Sequence, residues 1–229
     1  MTDLTLADLD RDEALGEALE TLYGSTRAAF LRRAAFGGAA MLGAMAVPSP
    51  AAAAVTDLEI LNFGLRFEYL QATFYTQADE LGTIKRMIPR KQEWAHVLGA
   101  HERAHVKILK SVLGPKAAKR PFFDFHGTTE TDDAFTRTAV AMEDLTVALL
   151  AGVTPQIQDR GLTAALFGLL TVEARHAAWA RNIVGATPAA AAFDDPRSLG
   201  EVRTVVRRTG FVVQRPSTTM RRRAPQMTG

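Results

Sequence analysis

The chain has 229 residues, of which 47% are hydrophobic and 23% charged, as is typical of a globular protein with one domain and appendages. It contains no cysteine, which excludes disulfides, thiolate metal sites and cysteine nucleophiles. The formal net charge of +2 is too small to indicate a nucleic-acid partner.

The N-terminal segment has the pattern of an export signal. Arg27, Arg32 and Arg33 precede an apolar run at 34–47, and prolines and alanines follow as far as Ala54. A basic region, an apolar region and small residues at a cleavage site, in this order, are typical of such signals. The apolar run is shorter than the roughly 20 residues that span a bilayer. We therefore expect cleavage near Ala54 and no stable membrane anchor afterwards.

The export route is less clearly marked than the signal itself. Residues 26–32 resemble the twin-arginine motif, but Ala28 stands where its second arginine is expected. Arg32 and Arg33 form a true pair that lacks the usual Phe-Leu at the right offset. We expect export across the cytoplasmic membrane by the twin-arginine route, into the periplasm, the cell envelope or the medium. The general secretory route remains the alternative.

Four long helices and one short helix are predicted after the signal. Capping residues, glycines and prolines set their ends. The expected ranges are 57–81, 89–114, 131–152, 159–184 and, for the short helix, 198–208, with a long loop at 115–130. The predicted domains are an N-terminal extension with signal at 1–54, a helical bundle at 55–210 and a disordered basic tail at 211–229.

Each long helix carries one apolar stripe with the four-three spacing of bundle cores. Every stripe is interrupted by acid or histidine at its centre. The stripes are Leu61, Leu65, Glu68, Ala72 and Tyr75; Leu98, Glu102, His105, Leu109 and Val112; Phe135, Ala139, Glu143, Thr146 and Leu150; and Leu162, Leu166, Leu169, Glu173, His176, Ala180 and Ile183. The predicted fold is an all-α, antiparallel four-helix bundle with a short C-terminal helix.

The polar centres of the stripes predict a site for two divalent metal ions. A carboxylate in an apolar core is costly unless it is paired, and four at one level also repel one another. Two divalent cations would cancel four carboxylates, and each Glu-x-x-His presents both ligands on one helical face. Carboxylate and imidazole ligands favour iron first and manganese next, with zinc left open. The predicted ligands are Glu68, Glu102, His105, Glu143, Glu173 and His176.

The segment from His101 to His105 also matches H-E-x-x-H, the motif of zinc proteases. In that interpretation both histidines bind zinc and Glu102 is the general base, which requires a third ligand and an open cleft. It leaves the polar centres of the other three helices unexplained.

Two residues near the predicted metal site each keep two interpretations. Tyr75 has either a redox role near the metals or a packing role. Asp144 either orients a ligating imidazole or faces solvent.

The chain also resembles a known family. The similar segments are 60–63, 68–70 and 74–75 in the first helix, 101–105 in the second, Glu143-Asp144 in the third, 172–179 in the fourth, and Phe193-Asp194 before Pro196. They resemble the ferritin-like domain group of exported bacterial proteins, which includes desiccation-related proteins, over about residues 57–205. The resemblance implies a ferritin-like bundle in which the six predicted residues are ligands and Glu102 and Glu173 bridge. Gln71 is not counted, although related first helices often carry Glu there.

The functional expectation is a di-iron oxidoreductase, resembling a ferroxidase, that acts in stress protection. Its partners would be metal ions and dioxygen or peroxide, with no nucleic acid, and a homo-oligomer is left open. Because fold alone does not fix function, a metal-stabilised structural or interaction protein without turnover is the main alternative. The zinc protease is the second alternative.

Overall fold

The computed structural model describes residues 55–214; the predicted signal and most of the predicted tail lie outside this range. The described residues form five α-helices, and each bound lies within one residue of its predicted position. They are α1 (Asp57–Glu80), α2 (Pro89–Leu113), α3 (Asp132–Val153), α4 (Arg160–Ile183) and α5 (Leu199–Thr209). Short 3₁₀ turns at Ile84–Arg86, Gly114–Lys116 and Thr154–Gln156 follow α1, α2 and α3.

The helices begin where local capping chemistry places them. Thr56 and Ser198 form capping boxes with the glutamates three residues later, which satisfy the first free N–H groups of α1 and α5. The side chains of Thr131 and Asp159 cap α3 and α4 in the same way but singly. Pro89 occupies the first turn of α2, where its missing N–H costs no hydrogen bond.

The four long helices form an antiparallel bundle, and the all-α fold is confirmed. The closest packing is between α1 and α2 and between α3 and α4. The two pairs meet with opposite chain directions, since Gln71 bonds Thr146 while the ring of Phe74 stacks on Phe135. The segment Asp132–Gln156 is long and apolar enough to cross a membrane, but half of its apolar window is buried in the bundle. We interpret α3 as a core helix.

The connection from α2 to α3 runs along the bundle and is held by side chains of α1. Asn62 donates to the carbonyl of Lys116 and accepts from the N–H of Ala118. Further along, β1 (Phe122–Phe123) pairs antiparallel with β2 (Val212–Val213). The predicted tail boundary at 211 is therefore wrong. Phe211 is buried against Phe125, with ring centroids 5.3 Å apart, so the folded region continues past α5.

The predicted stripes form the core of the bundle with one exception. Val112 is 52% exposed, and Leu113 is buried in its place. Because an α-helix has 3.6 residues per turn, a stripe that continues at a strict four-three spacing drifts around the helix. At the end of α2 this drift brings Val112 to the surface, beside an open groove towards α4.

Candidate metal centre

The six predicted ligands lie together at the middle of the bundle. Glu68 is contributed by α1, Glu102 and His105 by α2, Glu143 by α3, and Glu173 and His176 by α4. Glu102, Glu143 and Glu173 have no exposed surface, and the other three side chains are at most 11% exposed. Each Glu-x-x-His spans one turn, so its two side chains point into the core from the same helical face.

Two carboxylates lie between the two histidines, and each sends one oxygen to each ring. The Oε2 and Oε1 atoms of Glu102 lie 3.5 Å from Nδ1 of His105 and 3.1 Å from Nδ1 of His176. For Glu173, Oε1 lies 3.0 Å from Nδ1 of His105, and Oε2 lies 3.3 Å from Nδ1 of His176. This is the arrangement that two bridging carboxylates require.

The other two carboxylates each approach one histidine. Oε2 of Glu68 lies 3.4 Å from Nδ1 of His105, and Oε2 of Glu143 lies 3.6 Å from Nδ1 of His176. The ligand atoms consequently form two groups, each with its atoms within 4.8 Å of one another. We call them position 1 (Glu68, Glu102, His105 and Glu173) and position 2 (Glu102, Glu143, Glu173 and His176).

Hydrogen bonding within the site leaves its inward atoms unsatisfied. The short contacts between these carboxylates and imidazoles lack hydrogen-bond geometry. Within the described part of the chain, the following buried atoms have no hydrogen-bond partner: Oε2 of Glu68 and Glu143, both Oε atoms of Glu102 and Glu173, and Nδ1 of His105 and His176. Buried polar atoms are normally paired, so these eight orphans fit metal coordination at both positions.

The pKa values of the histidines and glutamates in the cluster are strongly shifted by burial and by one another. Burial alone would lower the pKa of His105 and His176, but the surrounding glutamates raise these pKa values to about 12 and about 11. Burial also acts against ionised Glu102, yet the two histidines lower its pKa to about 2. Burial and repulsion from Glu102 raise the pKa of Glu143 to about 8. Without metal, the buried carboxylates therefore favour protonated histidines, and bound metal ions would supply the positive charge instead.

Two side chains outside the ligand set hold it in place. The hydroxyl of Tyr75 donates to Oε1 of Glu143 at 2.7 Å, which leaves Oε2 facing His176. Nδ1 of His101 lies 2.9 Å from Nε2 of His176. If Nδ1 of His176 binds a metal ion, the ring proton stays on Nε2, which can then donate a hydrogen bond to Nδ1 of His101. The apolar stripe of α1 predicts that Tyr75 lies near the site but not that it bonds Glu143. His101 lies outside the apolar stripe of α2, so the sequence pattern does not predict its contact with His176.

Asp144 does not orient a ligating histidine. Its two carboxylate oxygens accept hydrogen bonds from Arg181, at 2.8 and 2.9 Å. Gln71 also has its own partner, since its Oε1 accepts from the hydroxyl of Thr146 at 2.9 Å. Both residues therefore support the packing of the helices around the centre.

The geometry does not favour the zinc protease. His101 lies outside both positions and contacts His176 on α4, which is no part of the H-E-x-x-H motif. Glu102 would have to act as a base on substrate and water, but it is fully buried between the two histidines. A general base must lie within hydrogen-bonding reach of the group it deprotonates. Glu102 has no exposed surface, so a peptide bond does not come within its reach in this arrangement.

Comparison with protein families agrees with this architecture. The family model of the ferritin-like domain matches residues 56–186, more than half of the chain. The chain belongs to the ferritin-like domain family. The matched range contains α1 to α4 and all six residues of the centre, whereas α5 and β2 of this ferritin-like protein lie beyond it. No curated protein matches the chain.

Proposed function

We propose that this ferritin-like protein binds two iron or manganese ions at positions 1 and 2, and that with iron it catalyses ferrous oxidation by dioxygen or peroxide. The observation that carries the proposal is the overlap of the two positions. They share Glu102 and Glu173, and each of these carboxylates faces both histidines. A buried site in which two carboxylates each face both histidines would suit a pair of ions better than a single ion.

Charge balance supports a divalent pair. Four carboxylates and two neutral imidazoles sum to four negative charges, which two divalent cations neutralise. The ligand atoms of each position lie within 4.8 Å of one another, close enough for one cation to contact all of them. Hard carboxylate oxygens with borderline imidazole nitrogens favour iron and manganese over softer metals.

Each residue of the centre would have a distinct role in such a site. Bound ferrous ions would supply the electrons for reduction of the oxidant. His105 and His176 would each hold one ion, Glu102 and Glu173 would be shared by both, and Glu68 and Glu143 would each complete one position. Tyr75 restrains Glu143 to one free oxygen, so the two ends of the centre differ. Buried apolar side chains surround most of the centre and limit its contact with bulk water.

The site of action that we propose is outside the cytoplasm, in stress protection. The basic, apolar and small-residue pattern at 27–54 supports export, and the first capping residue of the bundle is Thr56. A cut near Ala54 would therefore leave every helix of the bundle intact. Replacing Arg32 and Arg33 by lysine tests the twin-arginine route. We expect the longer, uncut chain to stay in the cytoplasm, and continued export would exclude this route.

The catalytic proposal is tested by adding ferrous iron to the metal-free protein under nitrogen and then admitting dioxygen or peroxide. Oxygen uptake and ferric absorbance should rise with the wild type and with His96→Ala, which changes an exposed histidine bonded to Asp79. Both signals should fall to the protein-free rate in His176→Ala. Tight binding of iron without faster oxidation would contradict turnover and favour the metal-stabilised structural protein.

A further inference from the structure

An apolar cavity lies directly beside position 1. It leaves about 20 Å³ for the centre of a water-sized molecule, enough for one small molecule. Among the described residues, Glu68 and Thr146 are its only polar lining residues, and the rest of the wall consists of apolar side chains and Gly64. A Cβ built at Gly64 would meet nothing within 4 Å, so the free space extends to the backbone of α1. Because its wall is mainly apolar, the cavity is suited to a small apolar molecule.

A second void opens from this region to the surface. It is a half-open groove of about 250 Å³ between α2 and α4, and within residues 55–214 His105 is its only polar lining residue. Its outer wall includes Ile108 and Val112, which are 59% and 52% exposed. We call it the α2–α4 groove. An apolar surface of this kind on one side of a bundle is a feature of ligand sites.

The two voids share a wall and reach the same metal position. Leu61, Leu109, Leu166 and Leu169 line both of them. The cavity touches Glu68 and the groove touches His105, whose Oε2 and Nδ1 atoms are 3.4 Å apart in position 1. A small molecule that passes between these leucines therefore reaches position 1 beside Glu68 from the cavity, or beside His105 from the groove.

The lining selects among the reactants by their polarity. A ferrous ion would lose its hydration in the groove and gain no carboxylate there, and peroxide would lose hydrogen bonds that the lining does not replace. Dioxygen is small, uncharged and apolar, so it gives up no strong hydration or hydrogen bonds when it enters the groove.

We propose that dioxygen enters through the α2–α4 groove, occupies the cavity beside Glu68 and reacts at position 1. This inference rests on the proposed function and identifies dioxygen as its oxidant. In the balanced reaction, one dioxygen takes up two electrons, one from each of two substrate ferrous ions, together with two protons, and leaves as hydrogen peroxide. The reaction requires no further reductant.

The cavity is tested first in the metal-free protein, with xenon as the probe. Xenon should shift the methyl NMR signals of Leu61, Leu109, Leu166 and Leu169 in a saturable way. Gly64→Val, which places a side chain into the cavity, should abolish that shift while thermal unfolding remains cooperative. Methyl signals that do not respond to xenon in the wild type would overturn the inference and leave the proposed function untouched.

The route is tested with a matched pair of substitutions on α4. Ala164 and Ala165 are both exposed, but only Ala165 lines the groove. Ala165→Phe should lower the rate of dioxygen-dependent iron oxidation severalfold, and leave iron binding and the peroxide-dependent rate unchanged. Ala164→Phe should match the wild type in every assay. Equal dioxygen rates in the two variants would overturn the route, whereas the absence of any oxidation in the wild type would overturn the proposed function instead.

Discussion

His101 fixes one of the two imidazoles of the centre without entering either metal position. Its Nδ1 lies 2.9 Å from Nε2 of His176. When Nδ1 of His176 binds metal, Nε2 retains the ring proton and donates a hydrogen bond to His101. The two rings lie nearly parallel, at 23° and 5.1 Å between centroids. Hydrogen bonds of this kind set the tautomer and the orientation of a ligating histidine.

Loss of this hydrogen bond should weaken metal binding at position 2 more than at position 1. We expect His101→Ala to lower the affinity of one of two bound manganese ions by about tenfold to a hundredfold. His101→Gln, which retains an acceptor, should restore part of the loss. Competition with a chelator measures both affinities, with His96→Ala as the control. Unchanged binding in His101→Ala would show that the contact does not position His176.

The six residues of the centre could be predicted because each one violates the pattern around it. Glu143, for example, is an acid in a stripe of apolar residues, and burial of that stripe follows from helical periodicity alone. The partners of the ligands were not predictable in the same way. His101 meets His176 from a different helix, 75 positions away, and Tyr75 meets Glu143 across 68 positions. Such contacts depend on how the helices rotate against one another.

At the scale of elements, α5 is attached to the bundle through a close approach of two backbones. The N–H of Arg197, just before α5, donates to the carbonyl of Ala148 on α3 at 2.8 Å. One turn further along α3 stands Gly152, and a Cβ there would overlap the Arg197 carbonyl. The absence of a side chain at Gly152 is therefore what allows α5 to lie on α3.

Adding a methyl group at Gly152 should separate these two elements. We expect Gly152→Ala to cost about 1–3 kcal/mol in the free energy of unfolding, because backbone atoms must move to admit the new group. Gly168→Ala is the matched comparison, since a Cβ there meets nothing within 4 Å in the middle of α4. That change should stabilise by about 1 kcal/mol. Urea unfolding measures both, and equal midpoints would contradict the close approach.

The bounds of the helices were predictable from sequence because caps are local. Thr56 and Ser198 each act on residues three positions away, and the prediction needs no knowledge of the fold. The pairing of β1 with β2 joins residues about 90 positions apart, as in Phe123 with Val212, and a two-residue strand has no periodicity to detect. For the same reason Phe211 was assigned to the tail.

The whole molecule without metal should become less stable as the pH rises from 6 to 8. The folded-state pKa values of His105 and His176 lie above the ordinary 6.5, so the native state retains protons that the unfolded chain releases in this range. Glu143, raised from 4.5 to about 8, acts in the same direction. Glu102 is ionised in both states throughout and has no effect. The stabilising proton binding is fully present below pH 6 for the histidines and is lost as the pH rises.

Bound metal should reverse this dependence, because metal binding displaces those protons and grows stronger with pH. Thermal unfolding at pH 6, 7 and 8, with and without manganese, measures both trends. We expect the midpoint of the metal-free protein to fall and the gap between the two forms to widen. A midpoint of the metal-free protein that rises over this range would contradict the assigned proton binding.

The central claim is a buried pair of metal ions, and elemental analysis of the purified mature protein tests it most directly. The account predicts about two iron or manganese ions per chain in the wild type and in His96→Ala. Both Glu102→Ala and His176→Ala should lose these ions. Circular dichroism should show the same helix content in all four proteins. A single zinc ion per chain that His176→Ala retains would contradict the dinuclear centre and support the H-E-x-x-H interpretation.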